Sequence, residues 1–431
     1  MNTKSCVACS LFLLLLTSNG FCKDYFVSSK GNDDSPGTAT SSPWKTLSKV
    51  NSTLFFPGDV VRFDCGSTWT GNLLIQNSGT QGNPIRFTSY GVGEKPVIRN
   101  TGIWSHSIDI RANYVIVENF LMKESHEAGV YILDNYSHNV VQDCEFANTG
   151  AGVVVRGSYN LVTRNYFHEG TMVVNTPGGS DDFGANGVVV NGPNNEISYN
   201  RGVNLIASSF DFGIDGGFVE FYGNVDNSYV HHNWVQYSAG FFEVGGGSAR
   251  NVRISYNVSL NNRSLGSIHI TDQFGSIVEN FRVENNTIVD VAEYGSTSSA
   301  LIWFGGAPSP SAFFFRNNIV MLGNFSFLSI SSFSRSNNLY HFLNAATRIG
   351  GSGAGPGDIQ ADPKFIDPRL NNFHLRPESP AIDKGIDLGY TIDYDRQPVP
   401  VGGAPDLGAY EYNPNVKTPM SPSPPTSLRI Q

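Results

Sequence analysis

Between Lys123 and Lys364 the sequence contains no lysine. Charge is scarce throughout, with Asp, Glu, Lys and Arg making up 15% of the 431 residues. The balance is acidic, net −9, and the basic residues nowhere gather into a block. Nucleic acid and anionic membrane surfaces are thereby excluded as partners, since both are held by clustered Lys and Arg. Cysteine is thin as well. Three of the five (Cys6, Cys9 and Cys22) sit at the N-terminus, leaving Cys65 and Cys144. Two cysteines cannot make a disulfide scaffold in a chain of this length. They are expected to be separate buried thiols, with a Cys65–Cys144 pair as the alternative. No apolar run reaches the length of a membrane span. The run from Leu11 to Leu16 follows Lys4 and precedes small Ser18 and Gly20, the order of a secretory leader. Residues 1–22 are therefore expected to be a signal peptide, and the protein to be secreted, extracellular or periplasmic. A lipid anchor on Cys22 is the alternative, and Phe21 before it argues against that.

Glycine, by contrast, is abundant at 46 residues, and Asn, Ser and Val are frequent. Such a composition disfavours helices and suits short strands joined by tight turns. Aligned on its apolar strands, the middle of the chain repeats. "GVYILDNYSHNVVQDCEFAN" (129–148) is followed by "GVVVRGSYNLVTRNYFHE" (152–169), and "GFVEFYGNVDNSYVHHNWVQY" (217–237) by "GFFEVGGGSARNVRISYNVSLNN" (240–262). Each unit reads as strand, Gly/Asn turn, second strand and asparagine. The asparagines fall at Asn119, Asn165, Asn200, Asn233, Asn257, Asn286 and Asn317, with Cys144 in one place. A variable period with constant strand phase is the mark of a solenoid with loops of unequal length. No unit has room for the long helix of a leucine-rich or ankyrin repeat. Stacked asparagines are expected to form a ladder at an inward turn.

These repeats resemble the right-handed parallel β-helix superfamily that contains the pectate lyases. The resemblance covers roughly 24–412. It includes an opening segment, "DYFVSSKGNDDSPGTATSSPWKTLSKVN" and "FFPGDVVRFDCGSTW", and a closing one, "ADPKFIDPRLNNFHLRPESPAIDKGID" and "PDLGAYEY". It implies an all-β, single-stranded right-handed parallel β-helix over 23–412, with an N-terminal and a C-terminal cap. Residues 413–431 are Pro/Ser-rich and read as a disordered tail. The superfamily holds lyases, hydrolases, epimerases and adhesins, so the architecture does not decide the activity.

The site is sought on the outward face of the first strand in each unit. Side chains alternate along a strand. Val219, Phe221, Phe242 and Val244 turn inward, so Glu220 and Glu243 turn outward. The same phase gives Asp109, Tyr131, Val154 and Val189 before them, and His269 and Trp303 after them. An acid pair, a histidine and an indole in consecutive coils read as a groove floor. Two insertions, 171–185 and 205–215, are expected to rise beside Glu220 as walls, carrying Asp181, Asp182, Asp211 and Asp215. Asp181 and Asp182 read as loop capping rather than metal ligands.

Adjacent coils lie about 4.8 Å apart, close to the roughly 5–5.5 Å between the carboxyl groups of retaining glycosidases. Two acids so close split their titrations, one ionised and one protonated. Glu243, beside His269, is the expected nucleophile and Glu220 the general acid; Asp215 or Asp211 is an alternative for either. Trp303, Tyr222 and Asp211 are the expected substrate-binding residues, Trp303 by stacking on a sugar ring. Polysaccharide lyases of the superfamily use a Lys or Arg base, often with calcium. Here the central coils lack lysine, and Arg156, Arg250 and Arg263 fall outside the outward ladder. The expected function is thus a glycoside hydrolase acting on a poly- or oligosaccharide, as a monomer and with no required cofactor. A calcium-dependent lyase, with the acids as Ca2+ ligands, is the first alternative. A non-catalytic carbohydrate-binding adhesin is the second.

Overall fold

The computed structural model describes residues 22–272, 274–291, 300–323 and 325–415. The expected leader, except Cys22, and the Pro/Ser-rich segment beyond residue 415 lie outside these described residues. Three long parallel sheets run side by side, and each coil between Val60 and Phe304 gives one strand to each. One coil, for example, contributes Ala128–Ile132, Val140–Gln142 and Glu145–Ala147. The sequence repeat suggests two strands per coil. The third strand is missed because it spans three residues in most coils, too short for alternation to show. Inward residues of all three sheets fill one continuous core in which like stacks on like. Phe146 and Phe167 of successive coils lie ring on ring at 4.8 Å. Among the described residues the one α-helix is Leu47–Asn51, started by Thr46, whose hydroxyl accepts from Lys49 N at 3.1 Å. No described helix is long and apolar enough to cross a membrane.

The corner between the second and third strands of the coil carries the asparagine ladder. Asn165 N donates to Asn200 Oδ1 at 2.9 Å, and Asn200 N to Asn233 Oδ1 at 2.8 Å. The series continues through Asn257, Asn286, Asn318 and Asn338 to Asp358. Cys144 holds a rung, as expected: its N–H donates to Asn165 Oδ1. Asn119 and Asn317 do not. Each lies one residue before its rung, in the left-handed region with φ of 63° and 56°. That conformation itself favours asparagine, so two unrelated demands for Asn sit side by side, and the sequence does not separate them. A second ladder at another corner, Asn139–Asn160–Asn195, has the same amide-to-carbonyl pattern.

Asn200 is buried and bonds on both sides, with Nδ2 donating to Val162 O and to Asn233 Oδ1. Asn200→Ala would leave the Asn165 N–H unpaired in the core and take from the Val162 carbonyl and Asn233 Oδ1 the bonds that Nδ2 donates. A buried group left unpaired costs about 1–3 kcal/mol and each lost bond about 1 kcal/mol. Urea unfolding is expected to show a destabilisation of about 3 kcal/mol or more.

The opening segment covers one end of the core with Tyr25, Trp44, Leu47 and Phe55, Tyr25 stacking on Trp44 at 4.9 Å. The closing segment is less a cap than a strap. Phe365, Phe373, Leu375, Leu407 and Tyr410 form a separate apolar cluster with Trp234, Val258, Val289, Ile319 and Leu339 of the third sheet's outer face. Tyr390 donates to the buried Glu284 at 2.6 Å, and His232 Nε2 meets Asp393 O at 2.8 Å. The described cysteines, Cys22, Cys65 and Cys144, are unpaired. Cys144 is buried, which pushes its thiol up to about 12. Cys65 is only half-buried, contrary to expectation.

Candidate active site

The sheet that contains Ala128–Ile132 forms the groove floor. Its register stacks Asp109, Tyr131, Val154, Val189, Glu220 and Glu243 in one line. The next partners are Ser267 and then Trp303. Ser267, not His269, therefore stands opposite Glu243. The strand Gly266–Ile268 ends one residue before His269, so the ladder position in "SIHIT" falls two residues earlier than alternation suggests. The side chain nevertheless comes back. His269 Nε2 lies 3.2 Å from Glu243 Oε1, and Nδ1 lies 2.6 Å from Asp272 Oδ2. Asp272 is in turn fixed by the Phe274 N–H at 3.1 Å. Burial lowers the His269 pKa, but the bonds to Glu243 and Asp272 outweigh it and raise the group overall. Each ring nitrogen thus faces a carboxylate, an arrangement that favours the protonated imidazole.

Glu220 is placed differently. Its Oε2 accepts from Asn186 Nδ2 at 2.5 Å. Burial beneath the loop walls, then the charges of Glu243 and Asp215, push it up to about 8. Asp215 accepts from the Gly216 N–H at 2.7 Å, yet burial, Glu243 and Asp182 raise it to about 7. Three acids consequently converge, with only Glu243 directly bonded to a histidine.

A β-bulge shapes the space between them. Pairing shifts after Phe221, so that Tyr222 faces Gly246 and Gly245 is the extra residue. A Cβ at position 245 would lie 3.6 Å from Glu220 Oε1 and 3.7 Å from Glu243 Oε1. Glycine keeps that point open to a ligand between both carboxylates. Tyr222 borders it at 3.5 Å from the same point.

Both insertions form antiparallel hairpins, Met172–Val174 with Phe183–Gly184 and Ala207–Ser209 with Gly213–Asp215. They wall a cleft of about 1150 Å³ that contains Glu220, Glu243, Asp215, His269, Tyr222 and Trp303. Trp303 is 39% exposed and tilts against His269 at 5.0 Å. Asp211 is the expected site residue that does not line the cleft. Its oxygens accept from the Gly178 and Asp181 N–H groups and lock one hairpin to the other. Asp182 likewise accepts from Thr176 N, Asp211 N and Ser209 Oγ, the capping role expected of it. Arg156 and Arg263, off the ladder, both reach the cleft. Asp272 and Glu127 escaped notice. For Asp272 the signal is a His-x-x-Asp that occurs twice, at 106–109 and 269–272; Glu127 lies outside that motif and is brought to His106 only by the stacking of coils.

In fold the chain is a right-handed parallel β-helix of the pectate-lyase-like kind. Pectate lyase Pel9A superimposes with a TM-score of 0.63 at 19% identity, over 91% of this chain and 96% of that one. Pectate lyase L of Dickeya dadantii is 23% identical over 90% of each chain. Lacto-N-biosidase of Bifidobacterium longum subsp. longum is 34% identical over 148 residues, 32% of this chain. The matched part spans 9% of that relative's length. No protein-family model matches the sequence.

Proposed function

We propose that the protein is a secreted, monomeric carbohydrate-active enzyme, and within that class a glycoside hydrolase. The carrying observation is the in-register stack of Glu220 on Glu243 around the open point at Gly245. Glu220, held protonated near neutrality, donates a proton to the leaving glycosidic oxygen. Glu243, bonded to His269, attacks the anomeric carbon, and Glu220 then serves as base for the incoming water. A coil spacing of about 4.8 Å fits the retaining geometry. Trp303 offers an apolar face to a sugar ring at the edge of the pair. The acidic lining disfavours polyuronates and suits neutral substrates, and no cofactor is needed for these steps. Relatives that bear the names of a hydrolase and of lyases are consistent with a carbohydrate substrate.

A second reading, a calcium-dependent lyase, draws on two observations. Arg156 and Arg263 reach the cleft, and the carboxylates of Asp181, Asp182 and Asp211 lie within 4.8 Å of one another. The backbone N–H bonds already held by Asp182 and Asp211 weigh against a cation there. A poly- and oligosaccharide panel, followed by reducing ends and by the ultraviolet absorbance of unsaturated products, separates the two. Reducing ends without absorbance are expected. Absorbance rising with cleavage, and abolished by chelation, overturns the hydrolase.

A further inference from the structure

The arrangement around His269 occurs a second time, at the other end of the groove. His106 Nδ1 lies 2.6 Å from Asp109 Oδ1, and Nε2 lies 3.1 Å from Glu127 Oε2. Both copies come from His-x-x-Asp, and in both the carboxylate on Nε2 lines the cleft. Their surroundings differ. Glu243 has Glu220 on the adjacent coil. Near Glu127 the ladder offers Tyr131 and then Val154 instead. His106 lies flat on Tyr131, centroids 4.2 Å apart and planes 19° apart. Arg156 donates to the Tyr131 hydroxyl and to Asp134, both at 3.1 Å. Without an acid partner, this end has no division between nucleophile and proton donor. It has a fixed carboxylate acceptor, a guanidinium donor and a phenol, all facing one space. Acceptor and donor side by side match vicinal hydroxyl groups.

Charge at this end balances. Asp109, Glu127 and Asp134 are each bonded to a cationic partner among His106, Arg111 and Arg156. Burial works against the charged imidazole, but its two carboxylate bonds raise His106 to about 9 and keep it protonated at neutral pH. Between the two ends the floor is Val154 and Val189, apolar and suited to the C–H faces of sugars. Above it Phe183 lines the cleft, backed by exposed Trp104 at 6.0 Å. Tyr131 and Glu220 are three rungs apart, roughly 14 Å at the spacing of a parallel sheet.

We propose that Glu127, Arg156 and Tyr131 form a distal subsite that binds a neutral pyranose of the same oligosaccharide whose linkage lies over Glu220 and Glu243, so that the enzyme selects chains by length. This rests on the hydrolase reading for the linkage end, and the two can fail separately. Glu127→Gln and Arg156→Ala each remove one partner of a charge-assisted bond without emptying the core. The probes are neutral gluco-, xylo-, manno- and galacto-oligosaccharides from disaccharide to hexasaccharide. Hydrolysis is followed with these variants, and binding by calorimetry with both changes placed in Glu220→Gln. The expected result is kcat/KM rising with chain length, and a variant loss growing with it to about 10- to 100-fold on the longest chains. Affinity in the Glu220→Gln background should fall by a similar factor, with the melting temperature of the variants unchanged. Hydrolysis with no length dependence and no variant effect overturns the subsite and leaves the hydrolase standing. Length-dependent binding lost in the variants, with no hydrolysis, keeps the subsite and overturns the hydrolase. Tighter binding of uronic-acid oligomers through Arg156 overturns the assignment to neutral sugar.

Discussion

Glu243→Gln is expected to fold normally and to lose turnover by roughly 10⁴- to 10⁶-fold, the range seen when a member of a catalytic set is removed, the nucleophile at its upper end. Glutamine keeps the volume and can still hydrogen-bond His269, so the cleft retains its shape. It cannot attack the anomeric carbon. Release of the leaving group from aryl glycosides should also collapse, since the first chemical step needs the nucleophile whatever the leaving group. In Glu243→Ala, which removes the side chain and leaves a void beside His269, azide should restore part of the rate, being small and anionic. Product formed with azide should have the inverted configuration, because one displacement replaces two. Turnover in Glu243→Gln equal to that of the unaltered protein would sink the assignment. Rescue with retained configuration would move the nucleophile to Asp215, the other acid at the same cleft.

The fold was largely visible in the sequence, and the reason is physical. A solenoid repeats its local demands, so inward Val, Ile and Phe recur in phase and the turns recur with Gly and Asn. Glu220 and Glu243 share the phrase "GF-x-E" because both begin a coil on the same sheet. Their stacking follows from strand alternation alone. What the sequence hides is set by register past a strand's end. The place of His269 depends on Gly266–Ile268 stopping after three residues, and its contact with Glu243 on a side chain folding back. Asp211 was misplaced for another reason. An acid in a loop insertion reads the same whether it faces ligand or staples two hairpins, and only the hairpin pairing decides. Gly245 is instructive in the opposite sense: nothing in the sequence sets it apart from the other glycines, yet it is the bulge residue that leaves room between the two carboxylates.

Glu220 carries the second large effect, and part of it needs no substrate. As general acid it must be protonated, and its pKa is pushed up to about 8 by burial and by Glu243 and Asp215. Activity should therefore fall as pH rises through about 8. Glu220→Gln should lose about 10²- to 10⁴-fold in kcat on substrates with poor leaving groups and flatten that alkaline limb. Aryl glycosides with good leaving groups should be far less affected in the first step. Stability responds to the same group. A carboxyl whose folded-state pKa lies above its unfolded value near 4.5 contributes stability that is full below 4.5 and is lost as pH climbs through about 8. At pH 9 the native protein holds Glu220 ionised against Glu243, a strain that glutamine does not have. Glu220→Gln should thus melt higher than the unaltered protein at pH 9, and the difference should shrink steadily towards pH 4. An acid on an ordinary solvated face would show no such trend, because its pKa would be the same folded and unfolded. Thermal melts of the two proteins from pH 4 to 9 that run parallel would mean that Glu220 is not shielded. The division of labour between the two glutamates would then lose its physical basis.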